Sequence, residues 1–363
     1  MKHGMRNNDP HKDLKPFILG VLGSWIKGET DHIEIPTGMN WQRLNRWVRA
    51  HNLAPLFQLA LSNHQIPGEL RQVWQQAGMS MLFENLRALK TSTHLFSILE
   101  SAGIPAVAMR GLHLVNRFYP DSGVRAMRDV DLLIAPEDRL ALLNTLKSQN
   151  LKPEQYLRSQ YVFKIDGVTF EVHWSLLTAK RYRETIDSRS LLAERHPFET
   201  PDGSFYCLSD NHELIGLITH AFIHHELTIM KQLVDIGMFA LQATIDWDLV
   251  YQWCHGVNLK NMFGLTLGLV TYMFKLEPRL DLGPFTEYTS ARLPKDFEAY
   301  LGPFFGQTGL MRYLRLKKNL IYVAEDPFTK LKQILRFITL TEAKDIYNRY
   351  VTNPTKGDSS EGF

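Results

Sequence analysis

An apolar strand that begins with two acidic residues constrains this chain more than any other feature of the sequence. Asp129 and Asp131 are separated by Val130 and lead directly into the apolar residues 132–134. Side chains alternate between the two faces of a strand, so both carboxylates lie on the same face. Such a pair suits Mg²⁺, which prefers oxygen ligands in octahedral geometry. The alternative interpretation is that the two acids lie on an ordinary surface strand. The apolar residues that follow them indicate instead a core strand whose end opens into a cleft.

A second strand with an acid on one face follows at residues 168–174, after the hairpin signal of residues 166–167. Its alternation puts Glu171 and His173 on one face and apolar residues on the other. Glu171 could be a third acid beside the first two, because three carboxylates can hold a two-metal phosphoryl-transfer site together. Alternatively, Glu171 and His173 are solvated residues of an exposed hairpin face, and His173 could also support a metal ligand.

The periodicity of the chain changes from helical to extended at Gly103-Ile104-Pro105. Gly103 suits a helix end and Pro105 prevents the helix from continuing. We therefore predict an α+β fold, in which a small mixed sheet is flanked by N- and C-terminal helical domains. The predicted division is a disordered tail (1–15), a helical domain (16–102), a β-α-β-α-β-β core (103–178), a mainly helical domain (179–350) that starts with a linker to about residue 205, and a second disordered tail (351–363).

Bulk composition places few limits on function. The 363 residues carry a net charge of +3, which neither requires nor excludes a nucleic-acid partner. The two cysteines, Cys207 and Cys254, do not form a CxxC pair, so a reducing cytoplasmic location is expected. The apolar stretch Met262–Phe274 is short and is interpreted as a buried helix rather than a membrane span. The basic run Arg312–Lys318 is interpreted as a solvated helix face, with RNA or an anionic membrane as the alternative partner.

A candidate phosphate-binding turn precedes the acidic strand. Gly111 opens a predicted helix that extends to about Phe118, and free N–H groups at a helix start can hold a phosphate. Arg110 and Arg125 lie on either side of this helix in sequence, and arginine gives planar, multidentate contacts to phosphate. Pairing with surface acids is the alternative for these arginines, and it is preferred for Arg128.

The third group of polar residues falls on a helix predicted to run from residue 210 to residue 243. At about 100° per residue, one stripe of this helix carries His220, His224, Lys231 and Asp235. A polar stripe on an otherwise apolar helix must face water, a partner or a polar cleft, because burying it unpaired is costly. We interpret the stripe as the acceptor side of a substrate cleft. Metal binding by the two histidines is the weaker interpretation, because two ligands are fewer than a transition-metal site usually has.

The combination of these motifs resembles a known family. The order Arg110-Gly111, then Arg125-x-x-x-Asp129-Val130-Asp131, then Phe170-Glu171-Val172-His173-Trp174 is similar to that of the uncharacterised nucleotidyltransferase family of the DNA-polymerase-β-like superfamily. The later His220-x-x-x-His224 and Lys231-Gln-Leu-Val-Asp235 are similar to the helical region of that family. The resemblance covers most of the chain, whereas the phosphate-loop, GxGxxG and GxSxG motifs of other enzyme classes are missing.

The resemblance implies a Mg²⁺-dependent enzyme, or one that uses Mn²⁺, which transfers a nucleoside monophosphate from an NTP to an acceptor hydroxyl. Asp129, Asp131 and Glu171 would bind two ions, of which one activates the acceptor and the other holds the triphosphate. His173 would lie on the acceptor side with the helical stripe. The family tends to show Lys-Gly at the phosphate turn, and Arg110 keeps the charge of that lysine but not its geometry.

Two alternative functions stay open. One is a toxin-like nucleotidyltransferase that modifies RNA, and the other is a nucleotide-binding scaffold without catalytic activity. The sequence leaves the acceptor open between a small molecule, a protein and RNA, and it does not give the nucleotide base or the oligomeric state.

Overall fold

The computed structural model describes residues 14–157, 159–177, 186–225, 227–277 and 279–286. The predicted C-terminal tail, the basic run Arg312–Lys318 and all helices predicted beyond residue 286 lie outside these ranges. The predicted N-terminal tail lies outside them up to residue 13. Lys15, the last residue of the predicted tail, is the first residue of a helix.

Helices and strands alternate through the middle of the chain and helices precede and follow them. The α-helices of the described residues are α1 (Lys15–Lys27), α2 (Trp41–Ala50), α3 (Ala54–Ala60), α4 (Gly68–Ser101), α5 (Gly111–Phe118), α6 (Arg139–Ser148), α7 (Ser188–Ala193), α8 (Asp210–Thr219), α9 (Met230–Gln242), α10 (Trp247–Gly256) and α11 (Lys260–Phe274). The strands are β1 (Ala106–Met109), β2 (Val130–Ile134), β3 (Gln155–Tyr156), β4 (Gln160–Ile165), β5 (Val168–His173), β6 (His196–Thr200) and β7 (Gly203–Cys207).

The strands form one mixed sheet in the order β3-β4-β5-β2-β1-β7-β6. β2 runs parallel to β5, and β1 runs parallel to β7, whereas the other neighbouring pairs are antiparallel. The predicted α+β fold with a mixed sheet flanked by helices is therefore confirmed. The sheet is larger than the β-α-β-α-β-β core that the sequence predicts, because β6 and β7 extend it beyond β1 and the two-residue strand β3 pairs with β4.

One face of this sheet is covered by the long helix α4 together with α5 and α6. Alternate residues of the central strands, such as Val130, Leu132 and Phe170, are buried in this core with Leu95 and Leu99 of α4. Burying one such side chain contributes about 1.5–3 kcal/mol. Since strand side chains alternate, filling one face with apolar residues fixes the intervening polar residues on the other face.

Two of the strand hairpins, β4–β5 and β6–β7, turn at residues with a positive φ. Asp166 and Gly167, at φ 50° and 79°, connect β4 to β5 as the sequence predicts, and this geometry is that of a tight type I′ turn. Gly203, at φ 131°, begins β7 after the turn from β6. The sequence predicts a linker with short elements in this region, because residues 179–205 are charged and poorly periodic, and it does not predict that two of these elements join the sheet. The Pro201-Asp202-Gly203 turn was the signal that could have identified this second hairpin.

The single helix predicted from residue 210 to residue 243 is wrong. α8 ends at Thr219, a π-helical turn follows at His220–His224, and α9 begins only at Met230. Leu227 lies between them at φ 57°, in the left-handed region that an α-helix does not use. No proline or glycine marks this break, so periodicity alone could not have located it.

The chain divides into two compact units. One comprises Asn52–His224 and Met238–Asp246 and contains the whole sheet. The other consists of the described parts of the remaining segments, and in it α1 lies against α11. A Cβ at Gly23 would lie 2.5 Å from the carbonyl oxygen of Phe274, so this close approach requires glycine. The domain boundaries stated from the sequence stay a prediction.

The apolar stretch Met262–Phe274 is a buried part of α11, as expected. In the part of the chain that the structure describes, no helix is long and apolar enough to cross a membrane.

Candidate active site

The polar face of the sheet carries the two strand acids in register. Asp131 on β2 is paired with Glu171 on the parallel strand β5, and Leu133 is paired with His173. Because residues of the same parity share a face, Asp131, Glu171 and His173 all project away from the apolar core. The strand pairing alone therefore brings together three side chains that are far apart in sequence.

These three side chains form a compact group. Nε2 of His173 lies 3.0 Å from Oδ1 of Asp131 and 3.8 Å from Oε2 of Glu171. One ligand atom from each residue lies within 4.8 Å of the others, which is a spacing that one metal ion could bridge. Nδ1 of His173 is buried and has no hydrogen-bond partner among the described residues. The hydrogen bond to Asp131 therefore fixes the orientation of the ring.

Asp129 occupies a different position from the one that the sequence predicts. It is exposed, precedes the first residue of β2, and lies outside the group of three. Its carboxylate is still close enough for its negative charge to affect the pKa of Glu171. Burial raises the pKa of Glu171, and the charges of Asp131 and then Asp129 raise it further. The structure therefore groups the buried Asp131 and His173 with the half-buried Glu171, and the exposed Asp129 lies at the edge of this group.

Arg110 provides the positive charge of the site. Its Nη1 lies 3.4 Å from Oδ2 of Asp131 and 2.7 Å from Nδ1 of His220. Burial alone would raise the pKa of Asp131, but the charge of Arg110 and the hydrogen bond from His173 hold it well below its usual range. Asp131 is therefore ionised at any physiological pH. Since a guanidinium only donates hydrogen bonds, the His220 nitrogen that faces it accepts.

The start of α5 lies against the second predicted phosphate ligand. A Cβ at Gly111 would lie 3.3 Å from Nη1 of Arg125 and 3.2 Å from the sulfur of Met127. A methyl group at this position would therefore require the Arg125 guanidinium or the Met127 side chain to shift by a few tenths of an ångström. The structure thus brings Arg110, Gly111 and Arg125 together, and it leaves Arg128 exposed, as the sequence suggested.

Asn85 on α4 holds the loop that carries Arg125. Its side-chain amide donates to the carbonyl oxygens of Ser122, at 2.5 Å, and Arg125, at 2.7 Å. Asn85 is almost fully buried. Sequence reasoning missed this residue, because a single asparagine in a long helical pattern carries no signal of its distant partner.

The two histidines of the predicted polar stripe reach the site through the π-helical turn. His220 accepts the hydrogen bond from Arg110, and its ring centroid lies 5.2 Å from that of His224. Burial lowers the pKa of His224, and the charges of Arg110 and His173 lower it further. Single π-helical turns are frequent at functional sites.

The remaining residues of the stripe do not share a helix with these histidines, so that part of the prediction is wrong. Lys231 and Asp235 lie on α9, in the segment that belongs to the other compact unit. Asp235 is buried and Lys231 is half-buried. The angular spacing that aligned them with His220 applied only to an unbroken helix.

Two further polar residues contact the site without a signal in the sequence. Gln160 on β4 donates to Oε2 of Glu171 at 2.5 Å. Glu213 on α8 accepts the backbone N–H of Arg110 at 2.5 Å. Burial raises the pKa of Glu213 to about 7, although the Arg110 N–H and the Arg110 charge oppose the shift. An acid in the first turn of a helix is so common that nothing marked Glu213 as a site residue.

The donor set fits a divalent cation that takes oxygen ligands. Asp131 is ionised, Glu171 offers a second carboxylate, and an imidazole is compatible with Mn²⁺ as well as with harder ions that keep their water ligands. Asp129 could add an oxygen from the open side. The group of Asp131, Glu171 and His173 could therefore hold the metal that the acidic strand predicts.

A protein-family profile described as an uncharacterised nucleotidyltransferase matches residues 37–275, which is most of the chain. The chain therefore belongs to this nucleotidyltransferase family, and the resemblance drawn from the motifs is confirmed.

Two solved structures are similar to the chain at low identity. The solution structure of the antibiotic-resistance factor ANT(2'')-Ia is 11% identical, with a TM-score of 0.30 over 49% of this chain and 87% of that one. The crystal structure of an antigenic nucleotidyltransferase-like protein from Paracoccidioides brasiliensis is 17% identical, with a TM-score of 0.37 over 52% of this chain and 92% of that one. No curated protein matches the chain.

Proposed function

We propose that this protein transfers a nucleoside monophosphate from an NTP to an acceptor hydroxyl with the help of Mg²⁺ or Mn²⁺. The observation that carries the proposal is the in-register pair Asp131 and Glu171, with the Arg110-Gly111 turn beside it. Bound divalent ions would activate the acceptor hydroxyl and stabilise the departing pyrophosphate. Asp131 and Glu171 are the proposed ligands, with Asp129 at the open edge and His173 orienting Asp131.

The phosphate-binding role falls to the turn between β1 and α5. The N–H groups at the start of α5 and the guanidinium of Arg125 surround Gly111, and a triphosphate there would meet both a helix dipole and a fixed positive charge. Arg110 neutralises part of the Asp131 charge until substrate arrives. His220 holds the Arg110 side chain by accepting its hydrogen bond.

The acceptor side is assigned to His173, His220 and His224, which lie beside the acids and Arg110. The imidazoles offer hydrogen bonds that could hold a hydroxyl near the metal ligands. This arrangement is compatible with a small molecule, a protein side chain or an RNA end as the acceptor.

Label transfer tests the proposal. The full chain is incubated with Mg²⁺ or Mn²⁺, each NTP labelled at the α-phosphate, and cell extract as the source of acceptor. Label that appears with the wild type and disappears with Asp131→Asn supports the proposal, and nuclease or protease sensitivity then identifies the acceptor class. Label removed by nuclease would identify an RNA-modifying enzyme of the toxin-like type.

A matched control is Asp166→Asn in the β4–β5 turn. Asparagine tolerates the positive φ of this position, so the variant keeps the fold and the site. Equal loss of label in Asp131→Asn and Asp166→Asn would contradict the proposed role of Asp131. Tight NTP binding by the wild type without transfer to any acceptor would favour the non-catalytic scaffold instead.

A further inference from the structure

Glu213 is a buried acid whose strongest contact is with the backbone of the phosphate-binding turn. It is 1% exposed, and its Oε1 accepts the N–H of Arg110 at 2.5 Å, across 103 residues of sequence. Its second oxygen, Oε2, is buried and has no hydrogen-bond partner among the described residues. The catalytic roles proposed above leave this residue unused.

The residue that Glu213 holds is in a strained conformation. Arg110 has φ 56° and ψ −113°, and it joins the last residue of β1 to the first residue of α5. A non-glycine residue with such angles is costly and persists only where its surroundings determine it. The hydrogen bond from the Arg110 N–H to Glu213 is one contact of the surroundings that can hold this geometry.

Residues of the same segment bind both the backbone and the guanidinium of Arg110. Glu213 on α8 binds its backbone, and His220, directly after α8, accepts a hydrogen bond from its guanidinium. Gly111 follows immediately, and a Cβ there would lie 3.3 Å from Nη1 of Arg125. A shift of the Arg110 backbone would therefore move the first N–H groups of α5 and the contact with Arg125 together.

A glutamate at position 213 does not stabilise the fold by its burial. A buried carboxyl with one hydrogen-bonded oxygen and one bare oxygen is destabilising relative to an apolar side chain of similar size. An apolar residue would fill the same space at lower cost but would leave the Arg110 N–H without an acceptor. The hydrogen bond to the Arg110 N–H, and not core packing, therefore explains why residue 213 is a glutamate.

We propose that Glu213 is a positioning residue that holds the Arg110–Gly111 turn in the conformation that binds the triphosphate of the nucleotide. The inference rests on the proposed nucleotidyltransferase function and deepens it. Glu213 acts through the Arg110 backbone, so its loss should weaken the binding of the triphosphate. It should leave cation binding at Asp131, Glu171 and His173 unchanged.

The test compares three substitutions in the full chain. Glu213→Leu removes the acceptor, Glu213→Asp keeps the charge but shortens the side chain, and Glu213→Gln keeps an acceptor oxygen at the same reach. Asp210→Asn is the matched control, because Asp210 lies on the same helix and also bonds to α5, through Arg117, but away from the turn.

Calorimetry measures the binding of Mg²⁺ with the NTP that the wild type binds best, and of Mg²⁺ with inorganic tripolyphosphate. Because the Arg110 N–H loses its acceptor in Glu213→Leu and is beyond the reach of the shorter side chain in Glu213→Asp, both variants should bind both ligands about tenfold more weakly or worse. Glu213→Gln should stay within about threefold of the wild type, since an amide oxygen still accepts. Mn²⁺ binding without nucleotide, followed by electron paramagnetic resonance, should be unchanged in every variant.

The outcomes separate this inference from the proposed function. If the wild type binds and transfers nucleotide but Glu213→Leu and Glu213→Asp bind as tightly as the wild type, the positioning role is overturned and the proposed function stands. If Glu213→Leu does not fold, Glu213→Asp and Glu213→Gln decide, and equal affinity in these two overturns the role. If the wild type binds neither NTP nor tripolyphosphate, the proposed function fails first and this inference fails with it.

Discussion

Asp131 and Glu171 stand opposite each other on two parallel strands, and His173 closes the group with a hydrogen bond to Asp131. Two parallel strands cannot be joined by a tight turn, so the chain between β2 and β5 must return to the end of the sheet at which β2 begins. The chain makes this return with α6, β3 and β4. The metal-binding hypothesis therefore rests on strand register, which is among the most strongly specified features of a sheet with one apolar face.

Replacing Asp131 by asparagine should abolish transfer and leave the fold intact. The side chain keeps its shape but loses the charge that would hold a divalent ion, and such an ion is worth several kcal/mol in the transition state. We expect a loss of at least about 1000-fold in kcat/KM. Initial rates of label transfer measure it, and a variant that retains more than a tenth of wild-type activity would contradict the assignment.

Replacing His173 by glutamine should weaken metal binding. His173 orients Asp131 and lies within reach of Glu171, and substitution of such supporting groups typically lowers metal affinity by about 10- to 100-fold. Titration of Mn²⁺ followed by electron paramagnetic resonance gives the affinity. His196→Gln, at an exposed position on β6, is the control and should bind Mn²⁺ as the wild type does. Equal affinity in both variants would remove His173 from the site.

Gly111→Ala should weaken nucleotide binding, because the new methyl group would crowd the Arg125 guanidinium and Met127 at 3.2–3.3 Å. We expect an NTP affinity lower by about tenfold and a stability lower by about 1–2 kcal/mol. Gly20→Ala in α1 is the control. A Cβ added there would meet no described atom within 4 Å outside the local helix backbone, and alanine should stabilise that helix by about 0.5–1 kcal/mol. Calorimetry and chemical denaturation measure the two quantities.

Glu213 should make the protein less stable as pH rises through the neutral range. Burial raises the pKa of its carboxyl from 4.5 to about 7, so between these values the folded state binds more protons than the unfolded state. The free energy of unfolding then falls with rising pH, by up to about 3 kcal/mol in total, and levels off above pH 7.

Glu213→Gln isolates this contribution, because glutamine does not titrate. Chemical denaturation from pH 4 to pH 8.5 should show the wild type losing stability relative to the variant as pH rises. A stability difference that is independent of pH across this window would show that Glu213 titrates normally, and the burial-driven shift would then be wrong.

The sequence by itself determined the features that depend on neighbouring residues. Alternation placed Asp131, Glu171 and His173 on the polar faces of their strands, and Asp166-Gly167 specified the hairpin that joins β4 to β5. The sequence likewise predicted Gly111 at the start of α5, because the residues that begin a helix are determined by their immediate neighbours. These features have short-range causes, so the order of residue types encodes them directly.

Only the tertiary structure decided which distant groups hold the site in place. Glu213 reaches the Arg110 N–H, and Asn85 reaches the Arg125 carbonyl oxygen, through contacts that no periodicity marks. The break between α8 and α9, in which Leu227 has a positive φ, interrupted the predicted long helix and divided its polar stripe. Such contacts and breaks are set by the packing of whole elements, whose free energy is shared among many residues and leaves no pattern at any one of them.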